Sequence, residues 1–265
     1  MKMSDATSIR SNDQYSLAKI LGLWFIAALP MAILAYVITP VVAVQFNLEP
    51  GLARWFMIII GLFWLFILSM IVQYRELGTL RWPVIRKRMW YQTPTDPKTG
   101  EPNMKLLWWA VPAVILNGLV ALTFIDPMLD KFFFSVFPFL EPLSASGRTE
   151  LGSPENVGQW WLLGVLLISM LLNYFIGEEW FFRGTLLPKM QGVFGSWAGI
   201  VNVLLFATWH WHQPWDWIAI ILSFAFAGWA SYRFKCNWIF FIAHGADGVF
   251  MFLLVLAVIT GLAFR

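Results

Sequence analysis

The chain has 265 residues, of which 59% are hydrophobic and only 12% are charged, and its formal net charge is +3. Soluble domains carry about 25% charged residues, so the composition excludes an ordinary soluble domain. It predicts a single all-α membrane domain over residues 1–265, built as a polytopic helical bundle with a buried polar cavity. The basic residues lie at the edges of apolar segments and not in one patch, which argues against nucleic acid and makes membrane lipid the expected surroundings.

Seven segments are long and apolar enough to cross a hydrocarbon core of about 30 Å. In chain order they are Leu17–Phe46, Phe56–Tyr74, Leu106–Ile125, a fourth from about Trp160 through Glu179, Trp197–Trp211, Trp217–Tyr232 and Trp238–Phe264. Pro30 and Pro40 are expected to kink the first span. The last span is long enough to tilt, or to break near Gly245 or Gly248.

The connecting segments carry most of the polar and basic residues. Met1–Ser16 is polar and has no small-residue cleavage site after a short apolar core, so we do not expect a cleavable signal peptide. Leu80–Trp90 mixes Trp, Val, Ile and Met with basic residues, which predicts a helix lying in the headgroup layer. The Phe-rich connection Asp126–Asn156 is expected to be interfacial or re-entrant. An eighth span in that connection would return the C-terminus to the cytoplasmic side.

The distribution of lysine and arginine predicts the orientation of the chain. With the N-terminus in the cytoplasm and seven spans, 13 of the 18 basic residues fall on the cytoplasmic side, 4 fall on the outer side, and Arg183 lies within a span. Because cytoplasmic loops carry an excess of these residues, the bias favours a cytoplasmic N-terminus and an outer C-terminus. We expect the chain in the cell membrane.

A group of charged residues interrupts the fourth span: Glu178, Glu179 and Arg183. A charge in hydrocarbon costs at least about 2.5–3.5 kcal/mol on insertion scales, so three within six residues indicate a buried functional site. On an α-helix Glu179 and Arg183 share one face, so Arg183 neutralises Glu179. Glu178, about 100° away, then points into the site as a general base. A Glu–Arg pair that only joins helices, or a proton or ion relay, are the alternatives.

His210 is the histidine of the fifth span that best fits this site. Asn202 and Phe206 precede it at helical spacing, so these three side chains share one face. His212 lies about 200° further round a helix, so the two histidines cannot both face one centre on a helix. We interpret His212, beside Gln213, as an interfacial histidine.

His244 is the second histidine expected in the site. Asp247 follows one turn later and can hold a ring nitrogen of His244 or stand beside it. A polar pair in an apolar helix indicates function by default, and a helix–helix hydrogen bond is the alternative. By helical rise, Glu178 and His210 lie about 18 Å and 22 Å from the turn between their helices. Because these depths agree, we predict one buried site formed by Glu178, His210 and His244.

Three motifs, in this order and at these separations, resemble those of the CPBP intramembrane proteases, the Abi or type 2 CAAX prenyl protease family. They are Glu178-Glu179-x-x-x-Arg183, Phe206-x-x-x-His210 and His244 in a later helix. The resemblance covers residues 160–264 as a catalytic core. The first half of the chain is similar to the family only in being hydrophobic.

The resemblance implies an all-helical membrane bundle and an intramembrane endopeptidase. Glu178 with His210 would activate a water molecule for attack on a peptide bond, and His244 would help to hold the oxyanion. Glu179 and Arg183 would be the supporting pair. No cofactor is required on this interpretation, and the substrate would be a peptide or a membrane protein.

The chain departs from the family pattern in the third motif. The family usually has Asn or a similar polar residue four positions after the histidine, where this chain has Gly248, and Asp247 comes one residue early. An anionic Asp247 is a poor oxyanion donor unless it is protonated. The oxyanion role therefore rests on His244 alone, unless the local helix shifts register.

Other functions stay open at this point. Glu178, His210 and His244 could hold a divalent metal such as zinc, although the chain has no His-Glu-x-x-His signature. A non-catalytic relative of the same family could serve in bacteriocin immunity, or as a scaffold that binds a peptide or membrane protein. A proton-coupled transporter fits less well, because paired half-helices in two repeats are missing from the sequence.

Overall fold

The computed structural model describes residues 14–123, 125–141 and 152–264. Within these ranges the chain forms helices and no β-strand, which confirms the predicted all-α bundle. The helices used below are, in chain order, α1 (Leu17–Gln45), α2 (Pro50–Leu77), α3 (Trp82–Arg88), α4 (Met104–Ala121), α5 (Ile125–Val136), α6 (Trp161–Lys189), α7 (Gln191–Trp209), α8 (Pro214–Phe234) and α9 (Trp238–Ile259). Apart from α3 and α5, all are long and apolar enough to cross a membrane, so the described residues contain the seven predicted spans.

The proline-containing first span is irregular at one point. Pro30 lies inside the α-helical part of α1, and a π-helical turn at Leu34–Ile38 separates that part from the segment that contains Pro40. Thr39 Oγ1 donates to Leu34 O at 2.8 Å and satisfies a carbonyl within the turn. Prolines and π-turns are the usual causes of helix bending, and this irregularity lies between the two prolines at which the sequence predicts kinks; the kinks themselves stay a prediction.

The last span is continuous. α9 runs from Trp238 to Ile259 without interruption, so of the two alternatives, a tilt or a break near Gly245 or Gly248, the break does not occur. A single glycine weakens a helix by only about 1 kcal/mol relative to alanine, and packing against neighbouring helices outweighs that loss. The helix therefore keeps its register through the third motif.

α5 is the Phe-rich segment that was considered as an eighth span. Its 12 residues reach about 18 Å, which is too short to cross a core of about 30 Å. Phe134 packs against Trp215, with ring centroids 5.9 Å apart, so α5 lies against the start of α8. The expectations for the N-terminal segment up to residue 13, and for the connection between 142 and 151, concern residues outside the described ranges.

α3 is the helix that the sequence predicts near the headgroup layer, and its place in that layer stays a prediction. Ile85 faces the protein interior, whereas the basic residues beside it are exposed. Arg88 turns inward and donates to Gly184 O and Thr185 O at 3.0 and 3.1 Å. Met89 packs so closely on Gly184 that a Cβ there would lie 2.2 Å from Met89 Cε. The end of α3 is therefore fixed against α6.

α7 and α8 approach each other at a pair of glycines. A Cβ on Gly199 would lie 2.4 Å from Gly228 O. A Cβ on Gly228 would lie 2.7 Å from Gly199 O and 2.4 Å from Val203 Cγ2. These distances are too short for any side chain, so the packing requires glycine at both positions. The close approach also brings the rings of Phe206 and Phe224 to 6.3 Å, beside the predicted site.

We expect Gly228→Ala to lower the free energy of unfolding by about 1–3 kcal/mol, because the added methyl group forces α7 and α8 apart. Thermal unfolding in detergent measures this change. Gly22→Ala is the matched control, since a Cβ at Gly22 meets nothing within 4 Å and alanine favours a helix. An unfolding temperature of Gly228→Ala equal to that of the parent would contradict the close packing.

Candidate active site

α6 carries the acidic pair, and it is not a regular α-helix. Its α-helical part, Trp161–Met170, passes into π-helical turns at Leu171–Ile176 and again at Glu179–Leu186. Gly177 joins the two, and a Cβ there would lie 2.2 Å from Leu172 O, so only glycine fits the junction. A π-turn holds more residues than an α-turn and is frequent at functional sites. Side chains in this stretch therefore point in directions that an α-helical wheel does not give.

Glu178 lies where α6, α9 and the end of α7 meet, and only 2% of its side chain is exposed. Its Oε1 lies 3.6 Å from His210 Nε2, and its Oε2 lies 3.7 Å from His244 Nε2. The structure thus brings together the three side chains proposed for the site. Both distances exceed those of direct hydrogen bonds, so the three groups face one another across a short gap.

The backbone of α7 sets the orientation of His210. The helix ends at Trp209, and His210 has a ψ of 52°, outside the helical range. Its Nδ1 lies 2.9 Å from Phe206 O, and because a carbonyl can only accept, Nδ1 must carry the hydrogen. In the neutral ring, Nε2 is then an acceptor, and it is the nitrogen that faces Glu178.

Both ring nitrogens of His244 face glutamates. Nδ1 lies 2.9 Å from Glu179 Oε1, and Nε2 is turned toward Glu178. Asp247 was expected to hold His244 or stand beside it; it lies near enough to interact electrostatically with His244, and its Oδ1 accepts a hydrogen bond from Asn117 Nδ2 at 2.5 Å. Because α4 packs against α9 at this level, Asp247 ties those two helices together, and Glu179 orients the histidine.

Arg183 is fully buried and completes the pair with Glu179, with Nε 3.9 Å from Oε2. Its guanidinium carbon lies 4.0 Å from the ring centroid of Phe206 and 3.4 Å from that of Phe240. A cation over aromatic faces is attracted to them, most strongly away from water. Phe206, predicted as a supporting residue from its spacing to His210, therefore contacts the arginine.

Asn202 joins α7 to α6 at some distance from Glu178. Its Nδ2 donates to Phe182 O at 2.8 Å and lies 3.5 Å from Met190 Sδ. The hydrogen bond reaches the π-helical part of α6 immediately before Arg183. Asn202 thus fixes the backbone that carries the buried arginine.

Asn173 is a close partner of Glu178 that the sequence pattern missed. With its amide turned to satisfy its hydrogen bonding, the nitrogen donates to both carboxylate oxygens of Glu178, at 2.9 and 2.8 Å. The two residues are five positions apart, which on an α-helix separates them by about 140°. The wider π-turn brings them onto one side. A lone asparagine in an apolar span was the available signal.

Tyr174 accounts for the glycine in the third motif. A Cβ on Gly248 would lie 2.7 Å from Tyr174 Cδ2 and 3.1 Å from Met170 Cε. The tyrosine ring packs edge-on against His244, with centroids 4.8 Å apart. An aromatic side chain from α6 thus fills the space beside Gly248, and no register shift in α9 is needed.

His212 is buried within the bundle, and its place at the membrane interface stays a prediction. It is 3% exposed, and its ring centroid lies 5.3 Å from that of His210. The helical wheel separates the two histidines, but α7 ends before either of them, and the non-helical backbone turns both inward. Tyr36 Oη donates to Trp211 O at 2.6 Å, and Arg54 donates to His212 O, so α1 and α2 hold this loop in place.

A cavity of about 230 Å³ includes Glu178 and extends toward the α7–α8 loop. Its polar lining consists of Ser169, Asn173, Tyr174, Glu178, His210, His212 and Gln213. Its apolar walls come from α2, α6 and α9. Water occupies about 30 Å³ per molecule in the liquid, so the cavity has room for several water molecules beside the carboxylate.

The three side chains do not form a ready-made zinc site. Zinc ligands lie about 2.0–2.3 Å from the ion, so their atoms must approach one another closely. Within the described residues, the group whose three ligand atoms lie within 4.8 Å of one another is Asp126, Asp130 and Asp216, and the cavity does not include it. For the set considered from the sequence, Glu178, His210 and His244, no choice of one ligand atom from each residue brings all three atoms within 4.8 Å of one another.

Comparison with known protein families supports the resemblance seen in the motifs. A profile of the family described as type II CAAX prenyl endopeptidase, Rce1-like, matches residues 159–250. The match contains all three motifs, and it confirms the resemblance to this protease family for that part of the chain. No curated protein and no solved structure gave a match.

The buried ion pair allows a test of stability that does not depend on activity. Arg183→Met leaves Glu179 buried without its cation and should cost about 3–5 kcal/mol. Removing both charges in Glu179→Gln/Arg183→Met should recover much of that loss. Thermal unfolding of the parent, both single variants and the double variant measures the coupling. Losses that simply add would contradict the pairing.

Proposed function

We propose that this chain is an intramembrane endopeptidase in which Glu178 and His210 activate the water molecule that hydrolyses a peptide bond. The observation that carries the proposal is the convergence of Glu178, His210 and His244 inside a membrane bundle, where Glu178 and His210 line a cavity. Charged and polar side chains in such surroundings are costly and mark functional sites. The match to a peptidase family over the same residues supports the reaction class.

The first step uses the two acceptors on one side of the cavity. The water molecule donates to Glu178 Oε1 and to His210 Nε2, which is an acceptor because Nδ1 donates to Phe206 O. The water oxygen attacks the carbonyl carbon of the scissile bond, and its proton passes to this pair. The bond between carbon and nitrogen then breaks, and the leaving nitrogen takes up the proton.

His244 stabilises the negative charge that develops on the carbonyl oxygen. Its Nε2 faces Glu178, and when this nitrogen carries a hydrogen it can donate to the oxyanion. Glu179 at Nδ1 and Arg183 behind it fix the ring and balance its charge. Asn173 donates to both oxygens of the Glu178 carboxylate and so fixes the orientation of that group. Residues that hold a reacting group in place contribute through its geometry.

The substrate is a polypeptide segment inside or at the surface of the membrane. The family description names CAAX prenyl proteins as the substrate class of its members. We therefore include a farnesylated peptide with a C-terminal Cys-aliphatic-aliphatic-X sequence in the assays below, together with the same peptide without the prenyl group.

We expect Glu178→Gln to lose cleavage almost completely, because the amide cannot accept the proton of the attacking water. General acid–base groups typically contribute about 10²–10⁴-fold to a rate. Cleavage of the two peptides in detergent, together with new C-termini among membrane proteins of expressing cells, measures the effect. Glu49→Gln is the matched control, since Glu49 is exposed and does not line the cavity.

Retained activity in Glu178→Gln would reject this mechanism. The non-catalytic immunity or scaffold role would instead be favoured by two results together: the parent protein cleaves neither peptide, and cells that express Glu178→Gln keep the phenotype of cells that express the parent. Thermal unfolding of both variants shows whether a loss of cleavage reflects chemistry or folding.

A metal-dependent version of the reaction gives a different outcome with chelators. If water is activated by Glu178 and His210 alone, 1,10-phenanthroline should leave cleavage of the peptides unchanged. A loss of cleavage that returns on adding zinc would show that a metal takes part. The parent protein incubated with the non-chelating 1,7-isomer is the control.

A further inference from the structure

The basic residues of the chain mark one end of the helical bundle. We call this the basic end; it carries the connection between α2 and α4, residues 78–103. Among the described residues, 11 lysines and arginines lie at the basic end, whereas Arg54 and Lys131 lie at the opposite end. That opposite end carries the α7–α8 loop, and we call it the loop end. Because cytoplasmic segments retain lysine and arginine, this bias assigns the basic end to the cytoplasm.

The site is closed toward the basic end by tight polar packing. Asn237 Nδ2 donates to Arg183 O at 2.7 Å and to Met89 O at 2.6 Å. The close contact between Met89 and Gly184 adds to this layer, and Arg88 reaches the same turn of α6. Between Glu178 and the basic end, the chain therefore forms a closely packed layer of side chains that joins α3, α6 and α9.

The cavity extends from Glu178 in the opposite direction. The lining includes Trp55, Ser169 and Gln213, which are half-buried rather than buried. Trp55 is five residues after the start of α2, about 8 Å below the loop end by helical rise. Trp55 Nε1 donates to Ser169 Oγ at 3.2 Å and so links α2 to α6 along this wall. The route out of the site thus leads to the loop end.

We propose that the site receives its substrate from the non-cytoplasmic side of the membrane, as an extended apolar segment of a membrane-attached polypeptide. The entry side follows from the packed layer between Glu178 and the basic end, from the direction in which the cavity extends, and from the distribution of lysine and arginine between the two ends. The identity of the occupant as a substrate rests on the proposed peptidase function.

The shape and lining of the cavity define this substrate further. An α-helix with its side chains is about 10–12 Å wide, which is more than a cavity of about 230 Å³ between packed helices admits. A substrate segment must therefore be extended where it reaches Glu178, which also exposes its carbonyl carbon to attack. The walls of the cavity include Leu166, Met170 and Met251. We therefore expect the substrate segment to carry apolar side chains. A C-terminus confined to the cytoplasm cannot use this route.

Labelling of single cysteines in intact cells tests the entry side. The native Cys236 is buried and donates to Gln92 O, and burial raises the pKa of its thiol to about 11. Cys236→Ser removes this thiol, so that only an introduced cysteine can react with the probe. In that background Gln213→Cys probes the proposed entrance, and Lys98→Cys in the exposed α3–α4 connection is the matched control at the basic end. The probe is a membrane-impermeant sulfonated maleimide.

We expect Gln213→Cys to react in intact cells and Lys98→Cys to react only after the membrane is permeabilised. Attachment of the bulky maleimide at position 213 should also cause loss of peptide cleavage in the Cys236→Ser protein, whereas attachment at position 98 should not. Reaction of Lys98→Cys in intact cells, or of Gln213→Cys only after permeabilisation, would overturn the proposal. Unchanged cleavage after complete labelling at position 213 would overturn it as well.

The labelling pattern does not depend on chemistry at Glu178, so the two proposals can fail separately. The same labelling is repeated in the Glu178→Gln protein, where the sidedness should be identical. If Glu178→Gln keeps full cleavage while labelling follows the expected sides, the peptidase mechanism is wrong and the entry side stands. If labelling reverses while Glu178→Gln loses cleavage, the entry side is wrong and the mechanism stands.

Discussion

The burial of a glutamate–arginine pair inside a membrane bundle is the constraint on which the rest of this structure depends. Neither Glu179 nor Arg183 exposes any of its side chain. A charge in hydrocarbon is tolerated only when other groups stabilise it, and here several of the stabilising groups come from other helices. α9 supplies His244 and Phe240, and α7 supplies Phe206. The pair thereby fixes how closely α6, α7 and α9 must approach.

The irregular backbone of α6 places the polar side chains of this packed region close to one another. A straight α-helix would place Asn173 far from Glu178, yet the two are hydrogen-bonded through both carboxylate oxygens. The π-turns, joined at Gly177, rotate the residues before the glutamate without breaking the helix. Glu178 is held by Asn173 on one side and faces the two histidines on the other. In the proposed mechanism, a carboxylate fixed in this way is oriented for water activation before a substrate arrives.

The α7–α8 loop completes the site from the other direction. α7 ends one residue before His210, which frees that ring to turn and leaves Phe206 O to fix its tautomer. The loop stays inside the bundle because Tyr36 and Arg54 bond its carbonyls from α1 and α2. The first half of the chain, which carries none of the motifs, therefore contributes to the site by holding this loop.

Much of the fold could be predicted from hydropathy and charge alone. The seven spans follow from the length of the apolar segments, because only helices satisfy their own backbone hydrogen bonds in a membrane. The pairing of Glu179 with Arg183 was predictable for a similar reason, since residues four apart stay close even when the helix widens. Glu178, His210 and His244 could be singled out because polar residues are rare in such spans and match a family of proteases.

The remaining details depended on contacts between distant segments. The sequence alone identified which residues are too polar to face lipid and how far apart they lie along the chain. Only the tertiary structure decided their partners: Asp247 bonds Asn117, His212 turns inward, and Tyr174 occupies the space beside Gly248. Each of these outcomes follows from a departure from ideal helix geometry or from packing between helices. A helical wheel assumes one repeat along one isolated helix and contains neither kind of information.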